Sequence, residues 1–266
     1  MLAEFGDEAK VLAGGQSLVP MLNLRLARPG HLIDIARIPS LRGVQEDGDG
    51  LRIGAVTTQR DIERSELVAR KYPLLSEAIR HIAHPPIRVR GTVGGSLSHA
   101  DPAAELPAVA VLLDAELTVV SKRGQRVIPA QDFFVSFLTS ALAPDEMLTE
   151  IRLPAWPSDA TWAFSEVSRR HGDFALAGVA AIVERDNSTV TGARIALFGV
   201  GATPLRTPDA EAIAVGKTIG DDLWRDVAAS AAAALDPPSD LHGSSAYRKH
   251  LAEVLTLRAL QSAAAR

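Results

Sequence analysis

Two short stretches, Ala13-Gly14-Gly15-Gln16-Ser17 and Thr92-Val93-Gly94-Gly95-Ser96, constrain this sequence more than any other feature. The first follows a strand-like segment at residues 8–12 and opens a helix-like segment at 16–26. That helix places Leu18, Met21, Leu22 and Leu26 at helical spacing and is closed by Pro29-Gly30. The second stretch follows an extended Arg-Val-Arg segment at 88–90. Paired glycines permit positive φ and let a ligand approach a backbone that carries no Cβ atoms. Successive N–H groups then converge as an anion nest, and a helix N-terminus adds positive partial charge. Ser17, Thr92 and Ser96 add hydroxyl donors. Two such loops, about 80 residues apart, can clamp one pyrophosphate from both sides. Taken singly, each Gly-Gly reads more readily as an ordinary turn. Neither loop matches a Rossmann fingerprint or a Walker A loop. Gly199-Val200-Gly201 lacks a third glycine and reads as a turn.

The rest of the chain supplies elements to carry these loops. At 266 residues and 47% hydrophobic, it can bury the core of one large domain or two smaller ones. Strands are predicted at 31–35 and 51–55, and a helix near Arg60 with Thr58 as its N-cap. A helix at 74–83 ends before Pro85-Pro86, and another spans 103–113. A hairpin pairs 116–121 with 126–129 around Arg123-Gly124. Leu153-Pro154-Ala155-Trp156-Pro157-Ser158 reads as a linker, which divides the chain into domains 1–157 and 158–266. Beyond it, strands are predicted at 162–168, 175–184 and 190–200, with a turn at Asp186-Asn187-Ser188, then helices at 222–234 and 245–264.

Composition removes several function classes. There is no cysteine, so this chain holds no disulfide, thiolate zinc site or iron–sulfur cluster. A net charge of −4 without Lys/Arg runs leaves no nucleic-acid footprint. The longest apolar stretch, 174–183, is too short for a membrane span, and the start lacks the pattern of a signal peptide. A cytoplasmic protein is expected. His81 and His84, at i and i+3 near a helix end, have no carboxylate at the usual ligand spacing, so no metal site is assigned. His99 and Asp101 read as loop-shaping residues rather than a catalytic pair. No Gly-x-Ser-x-Gly elbow is present. Arg88 and Arg90 either balance phosphate charge or serve in surface ion pairs, and Glu166 receives no role.

The two loops carry a resemblance once their flanks are included. Leu12-Ala13-Gly14-Gly15-Gln16-Ser17-Leu18-Val19-Pro20, then Leu24-Arg25-Leu26-Ala27-Arg28-Pro29 and Leu32-Ile33-Asp34-Ile35 form one motif. Arg90-Gly91-Thr92-Val93-Gly94-Gly95-Ser96-Leu97-Ser98-His99-Ala100-Asp101-Pro102-Ala103-Ala104-Glu105-Leu106-Pro107 forms the other. Both resemble the FAD-binding medium subunit of the xanthine dehydrogenase and aerobic carbon monoxide dehydrogenase family of molybdenum hydroxylases. The likeness continues through His171-Gly172-Asp173-Phe174, Gly199-Val200-Gly201-Ala202-Thr203-Pro204 and Tyr247-Arg248-Lys249-His250-Leu251, and so covers nearly the whole chain. Family members carry a further strand and part of a helix before the first loop, and this sequence opens inside that helix.

The resemblance implies an α/β FAD-binding domain of the p-cresol methylhydroxylase type. It would have two α/β subdomains at about 1–53 and 54–157. A small α+β C-terminal domain of the carbon monoxide dehydrogenase flavoprotein type would follow at 158–266. It implies that Val11, Leu12, Ala13, Gly14, Gly15, Gln16, Ser17 and Leu18, with Thr92, Val93, Gly94, Gly95 and Ser96, touch the pyrophosphate and ribityl region. Glu105 would bind ribityl or ribose hydroxyls, Ala83 and Leu148 would offer nearby backbone, and Asp173 and Phe174 would approach the flavin ring. Trp156, Trp162 and Trp224 read as core or interface residues rather than flavin stackers. No catalytic side chain and no metal are expected on this chain. FAD would be non-covalent and would pass electrons to NAD, a quinone or oxygen. The molybdenum cofactor would sit on a large subunit and 2Fe–2S clusters on a small one, in a dimer of heterotrimers. Two other functions fit the same loops: a free-standing FAD-dependent oxidase, and a non-enzymatic nucleotide-binding module.

Overall fold

The computed structural model describes residues 1–266 in three consecutive units. The first holds the only parallel strand pair. Helix α1 (Leu2–Phe5) precedes strand β1 (Ala9–Leu12), helix α2 (Leu18–Asn23) and strand β2 (His31–Asp34). Ala9 lies opposite His31 and Leu12 opposite Asp34. Helix α2 is shorter than the predicted 16–26. The turn at Gly15 (φ 74°) takes its start, and Arg25, at φ 57°, ends it early.

The second unit comprises β3 (Val44–Asp47), β4 (Gly50–Gly54), α3 (Gln59–Glu63), α4 (Glu66–Lys71), α5 (Pro73–His81), α6 (Pro85–Arg88), α7 (Val93–His99), α8 (Glu105–Leu112), β5 (Glu116–Ser121) and β6 (Gly124–Pro129). It closes with α9 (Ala130–Phe133), the small hairpin β7 (Phe134–Ser136) and β8 (Thr139–Ser140), and β9 (Met147–Leu153). Its five-stranded sheet runs β3-β4-β9-β5-β6, and every pairing is antiparallel. Two expectations therefore need correction. The sheet starts at Val44, so a division near residue 53 cuts through β4. With its helices layered on an antiparallel sheet, this unit is α+β rather than α/β.

Local chemistry explains most of these elements. Thr58 caps α3 through a full capping box: its hydroxyl accepts from Asp61 N–H, and the Asp61 carboxylate accepts from Thr58 N–H. Pro85 and Pro86 cannot extend α5, yet they suit the first turn of the short α6. Arg88 thus lies on a helical turn, which corrects the extended Arg-Val-Arg segment. Helix α8 is buried along all eight residues, as its lack of a polar face demands.

The third unit is a four-stranded antiparallel sheet with three helices. Strands β10 (Thr161–Ser168), β11 (Ala175–Asp186), β12 (Thr189–Phe198) and β13 (Leu205–Arg206) lie in sequence order. Helices α10 (Pro208–Ala214), α11 (Asp221–Ala233) and α12 (Ser245–Ala264) cover one face. Strand β11 reads as a continuous apolar run because both its faces are covered. Ala177, Val179, Ala181 and Val183 join the core under α11 and α12, whereas Ala180 and Ile182 join the core of the second unit. Tyr72, buried in that second core, donates its hydroxyl to the Leu153 and Pro154 carbonyls, so the linker is tied down at its start.

Candidate cofactor-binding site

A cavity of about 650 Å³ lies where the three units meet. That volume is in the range of small-molecule and cofactor sites. It receives all of the expected site residues except Leu12 and Val93. Val93 is 4% exposed and points into the hydrophobic core. Leu12 turns its side chain against Gly15 and accepts Ile35 N–H through its carbonyl. Sequence reasoning missed Gln59 and the 138–147 stretch of wall, which includes Leu138, Thr139 and Ser140. Gln59 is 5% exposed and its Oε1 has no hydrogen-bond partner, but nothing in its helical position marks it in the sequence.

The two glycine loops play different parts. In the first, the N–H groups of Gly14, Gly15, Gln16, Ser17 and Leu18 have no acceptor within the protein. All five residues line the cavity. Unpaired backbone donors gathered at one wall need an acceptor from outside the chain. In the second loop four of the five backbone donors are consumed, and Thr92 N–H is left without an acceptor. Val93 N–H binds the Thr57 carbonyl, Gly94 N–H the Ala55 carbonyl, Gly95 N–H the Thr92 hydroxyl and Ser96 N–H the Thr92 carbonyl. The first loop therefore keeps a row of five free N–H groups, and the second keeps Thr92 N–H while its other donors brace it on its neighbours.

The glycines of the two loops meet different steric demands. Only Gly15 takes positive φ. A Cβ on Gly14 would lie 2.2 Å from the Arg90 carbonyl oxygen, and one on Gly94 would lie 2.5 Å from Ala55 Cβ. These two positions need glycine because backbone meets backbone there. The first loop is pressed against residues 90–91, and α7 against the end of β4.

Charged groups around the cavity fall into place. Glu105, in the first turn of α8, is 5% exposed and lines the cavity, and its carboxyl is hydrogen-bonded only by its own backbone. Burial pushes it up to about 8, and the neighbouring Glu166 charge adds to the effect. Arg88 does not line the cavity. It is buried, pairs with Glu63 through two bonds of 3.2 Å, and donates to the Ile82 carbonyl at 2.8 Å. That bond braces the backbone just before Ala83, which sits on the cavity wall at φ 42°. Arg90 is exposed and contributes its carbonyl to the Gly14 contact. His81 lies 3.5 Å from both Glu77 and Glu166. His99 and Asp101 both line the cavity, and the Asp101 carboxylate accepts Ala103 N–H at 2.9 Å. Trp224 is core, Trp156 packs edge-on to Tyr72, and Trp162 lies under Arg266.

What this arrangement can hold is an extended ligand with an anionic middle and hydroxyl-bearing flanks, the chemistry of a dinucleotide cofactor. Residues 1–156 match the family described as the FAD binding domain in molybdopterin dehydrogenase, and residues 162–263 match the CO dehydrogenase flavoprotein C-terminal domain. The alpha subunit of the 6-hydroxypseudooxynicotine dehydrogenase complex of Paenarthrobacter nicotinovorans is 44% identical, over 99% of this chain and 89% of its own length. The carbon monoxide dehydrogenase medium chain of Hydrogenophaga pseudoflava is 39% identical, over 100% of this chain and 93% of its own. Among solved structures, a carbon monoxide dehydrogenase from that organism superposes with a TM-score of 0.97 at 40% identity, over 99% of this chain and 92% of that one. Quinoline 2-oxidoreductase from Pseudomonas putida 86 gives 0.95 at 35% identity, over 99% and 92%. The chain belongs to the FAD-binding medium subunits of the molybdenum hydroxylase family.

Proposed function

We propose that this chain holds one FAD non-covalently in the cavity and relays electrons from iron–sulfur clusters on a small subunit to a soluble or membrane-borne acceptor. The observation that carries this reading is the row of free N–H groups from Gly14 to Leu18 on the cavity wall. The residues present fit the cofactor. Those donors suit a pyrophosphate, and the Glu105 carboxyl, bonded to no other side chain, suits ribityl or ribose hydroxyls. Leu148 and the Ala83 backbone form further wall, and Asp173 and Phe174 form the lip where a flavin ring would reach solvent or a partner. FAD, when bound, supplies the change from single-electron clusters to a two-electron acceptor. The chain's own residues bind, orient and shield it, and none is assigned as an acid or base.

The finer architecture belongs to the same reading. A p-cresol methylhydroxylase-type domain over residues 1–157 and a C-terminal domain over 158–266 agree with the proline-rich linker and with the separate sheets on either side of it. The relatives named above are chains or subunits of larger enzymes. A large subunit with the molybdenum cofactor, a small one with 2Fe–2S clusters and a dimer of heterotrimers complete the proposal. A cytoplasmic location goes with it; no helix is long and apolar enough to cross a membrane.

Co-expression with neighbouring large and small subunits tests the relay. The complex should contain molybdenum, iron and FAD, and its organic substrate should bleach the flavin band. The isolated FAD-loaded chain should be reduced by dithionite but not by that substrate. Turnover of the organic substrate by the isolated chain would overturn the relay and favour a free-standing oxidase.

A further inference from the structure

Gln59 lines the cavity, and its side chain has no hydrogen-bond partner in the chain. It is the first residue of α3, directly after the Thr58 cap, and is 5% exposed. Its backbone is fixed from the second loop. Gln59 N–H donates to the Gly91 carbonyl at 2.8 Å, and Thr58 pairs with Thr92 in an antiparallel bridge. That pairing delivers the Gln59 amide to the segment just before α7. A Cβ on Gly91 would lie 2.6 Å from Gln59 Oε1 and 3.0 Å from its Cδ, so position 91 is glycine where the amide stands. Oε1 is enclosed there without a donor. The NH2 end is not enclosed with it, and the space it opens on is the cavity.

The same contacts fix where in the cavity this amide lies. Gly14, the first of the five residues with free N–H groups, also stands against Gly91, since a Cβ on it would lie 2.8 Å from Gly91 Cα. Thr92, the next residue, lines the cavity and keeps its own N–H free. Gln59 therefore belongs to the end of the cavity where the row of donors is, on the side of the second loop. We propose that Gln59 is a further cofactor-binding residue, whose amide NH2 donates to the pyrophosphate of FAD from beside Thr92 N–H. This rests on the FAD reading above. A pyrophosphate carries more acceptor lone pairs than one row of N–H groups fills. Lys10 is the only lysine or arginine on the cavity wall, so the phosphate charge is met mainly by neutral donors. An amide held by a glycine contact adds such donors without burying a second cation.

The test is titration of the cofactor-stripped full chain with FAD, read by flavin fluorescence, with thermal unfolding of the stripped chain beside it. Gln59→Met keeps the length of the side chain and removes both ends of the amide. Its FAD affinity should fall roughly tenfold or more, the loss of one hydrogen bond to a charged group. The melting temperature of the stripped chain should stay level or rise, because methionine removes a buried acceptor that has no donor. Gln59→Glu keeps the shape, loses the donors and sets a carboxylate beside the phosphates, so it should bind FAD more weakly than Gln59→Met. Gln59→Met binding FAD within about twofold of wild type overturns this proposal alone. So does a Gln59→Met chain whose melting temperature falls together with its affinity, which would make the amide structural. Gln59→Glu binding FAD as tightly as Gln59→Met, or more tightly, overturns it too, since the amide would then serve a hydroxyl as an acceptor. A wild-type chain that binds no FAD overturns the FAD reading and this proposal with it.

Discussion

Replacing Gly14 with alanine separates the two glycine loops without asking the backbone for a forbidden conformation, because Gly14 does not lie at positive φ. The added Cβ would stand 2.2 Å from the Arg90 carbonyl oxygen and 2.8 Å from Gly91 Cα. Ordinary contact begins near 3.4 Å, so the loops must part by about 1.2 Å. Overpacking of this kind costs about 1–3 kcal/mol of stability. The larger effect falls on the cofactor. A hydrogen bond lengthened by an ångström is no longer one. Each bond from the free N–H groups at 14–18 to a charged phosphate is worth about 1.5–3 kcal/mol. Losing one weakens FAD binding roughly ten- to hundredfold. Fluorescence titration of cofactor-stripped protein measures this, with thermal unfolding beside it. Gly220→Ala is the control, since nothing lies within 4 Å of the added atom and its φ of −175° suits any residue. If Gly14→Ala binds FAD within about twofold of wild type, the close apposition of the loops does not set the nest geometry, and the reasoning fails.

Two further outcomes are expected. Arg88→Met leaves Glu63 with Arg60 alone and strips the Ile82 carbonyl of its donor. It should therefore cost about 3 kcal/mol, the lower end for breaking a buried pair, and roughly 6–12 °C in melting temperature; a loss below about 1 kcal/mol in denaturant titration would show that the guanidinium is not structural. Acid precipitation should release all flavin to the supernatant, since the chain has no cysteine and neither glycine loop carries a histidine; colour retained in the pellet would point to His99, a histidine on the cavity wall.

The legible parts of the fold were those whose pattern follows from a single neighbour. Strand β11 and the turn at Asn187, at φ 53°, read directly, as did the hairpin of β5 and β6 and the 20-residue helix α12. Strand β9 was missed because its register shifts opposite Thr118 and Val119. The shift leaves two residues, Thr149 and Glu150, between buried Leu148 and Ile151 and breaks the two-residue alternation that marks a strand. Strand β3, Val-Gln-Glu-Asp, lies at the sheet edge and has no buried residue. The division near residue 53 failed for a related reason. Antiparallel partners far apart in sequence, β4 with β9, leave no local trace of which sheet a strand joins.

At the site, residue identity was more legible than cause. Positive φ and ligand approach pointed to Gly14 and Gly94, yet both glycines are required by protein backbone and side chain lying where a Cβ would go. The distinction changes what a substitution does. Valine at Gly15 meets a conformation that L side chains rarely adopt and bears on the nest directly, whereas valine at Gly94 is driven into Ala55 and the end of β4. Gly94→Val should therefore be unstable before it is flavin-free. Loss of FAD in that variant alone says nothing about the nest. Sequence can show that two loops need glycine; only the destination of each N–H shows which loop keeps donors for a ligand. In the second loop those from Val93 to Ser96 are already bound, and in the first those from Gly14 to Leu18 are free. The row of donors free for an anion therefore lies on the α2 side, and the second loop stands directly against the first, with the Arg90 carbonyl oxygen where a Cβ on Gly14 would go.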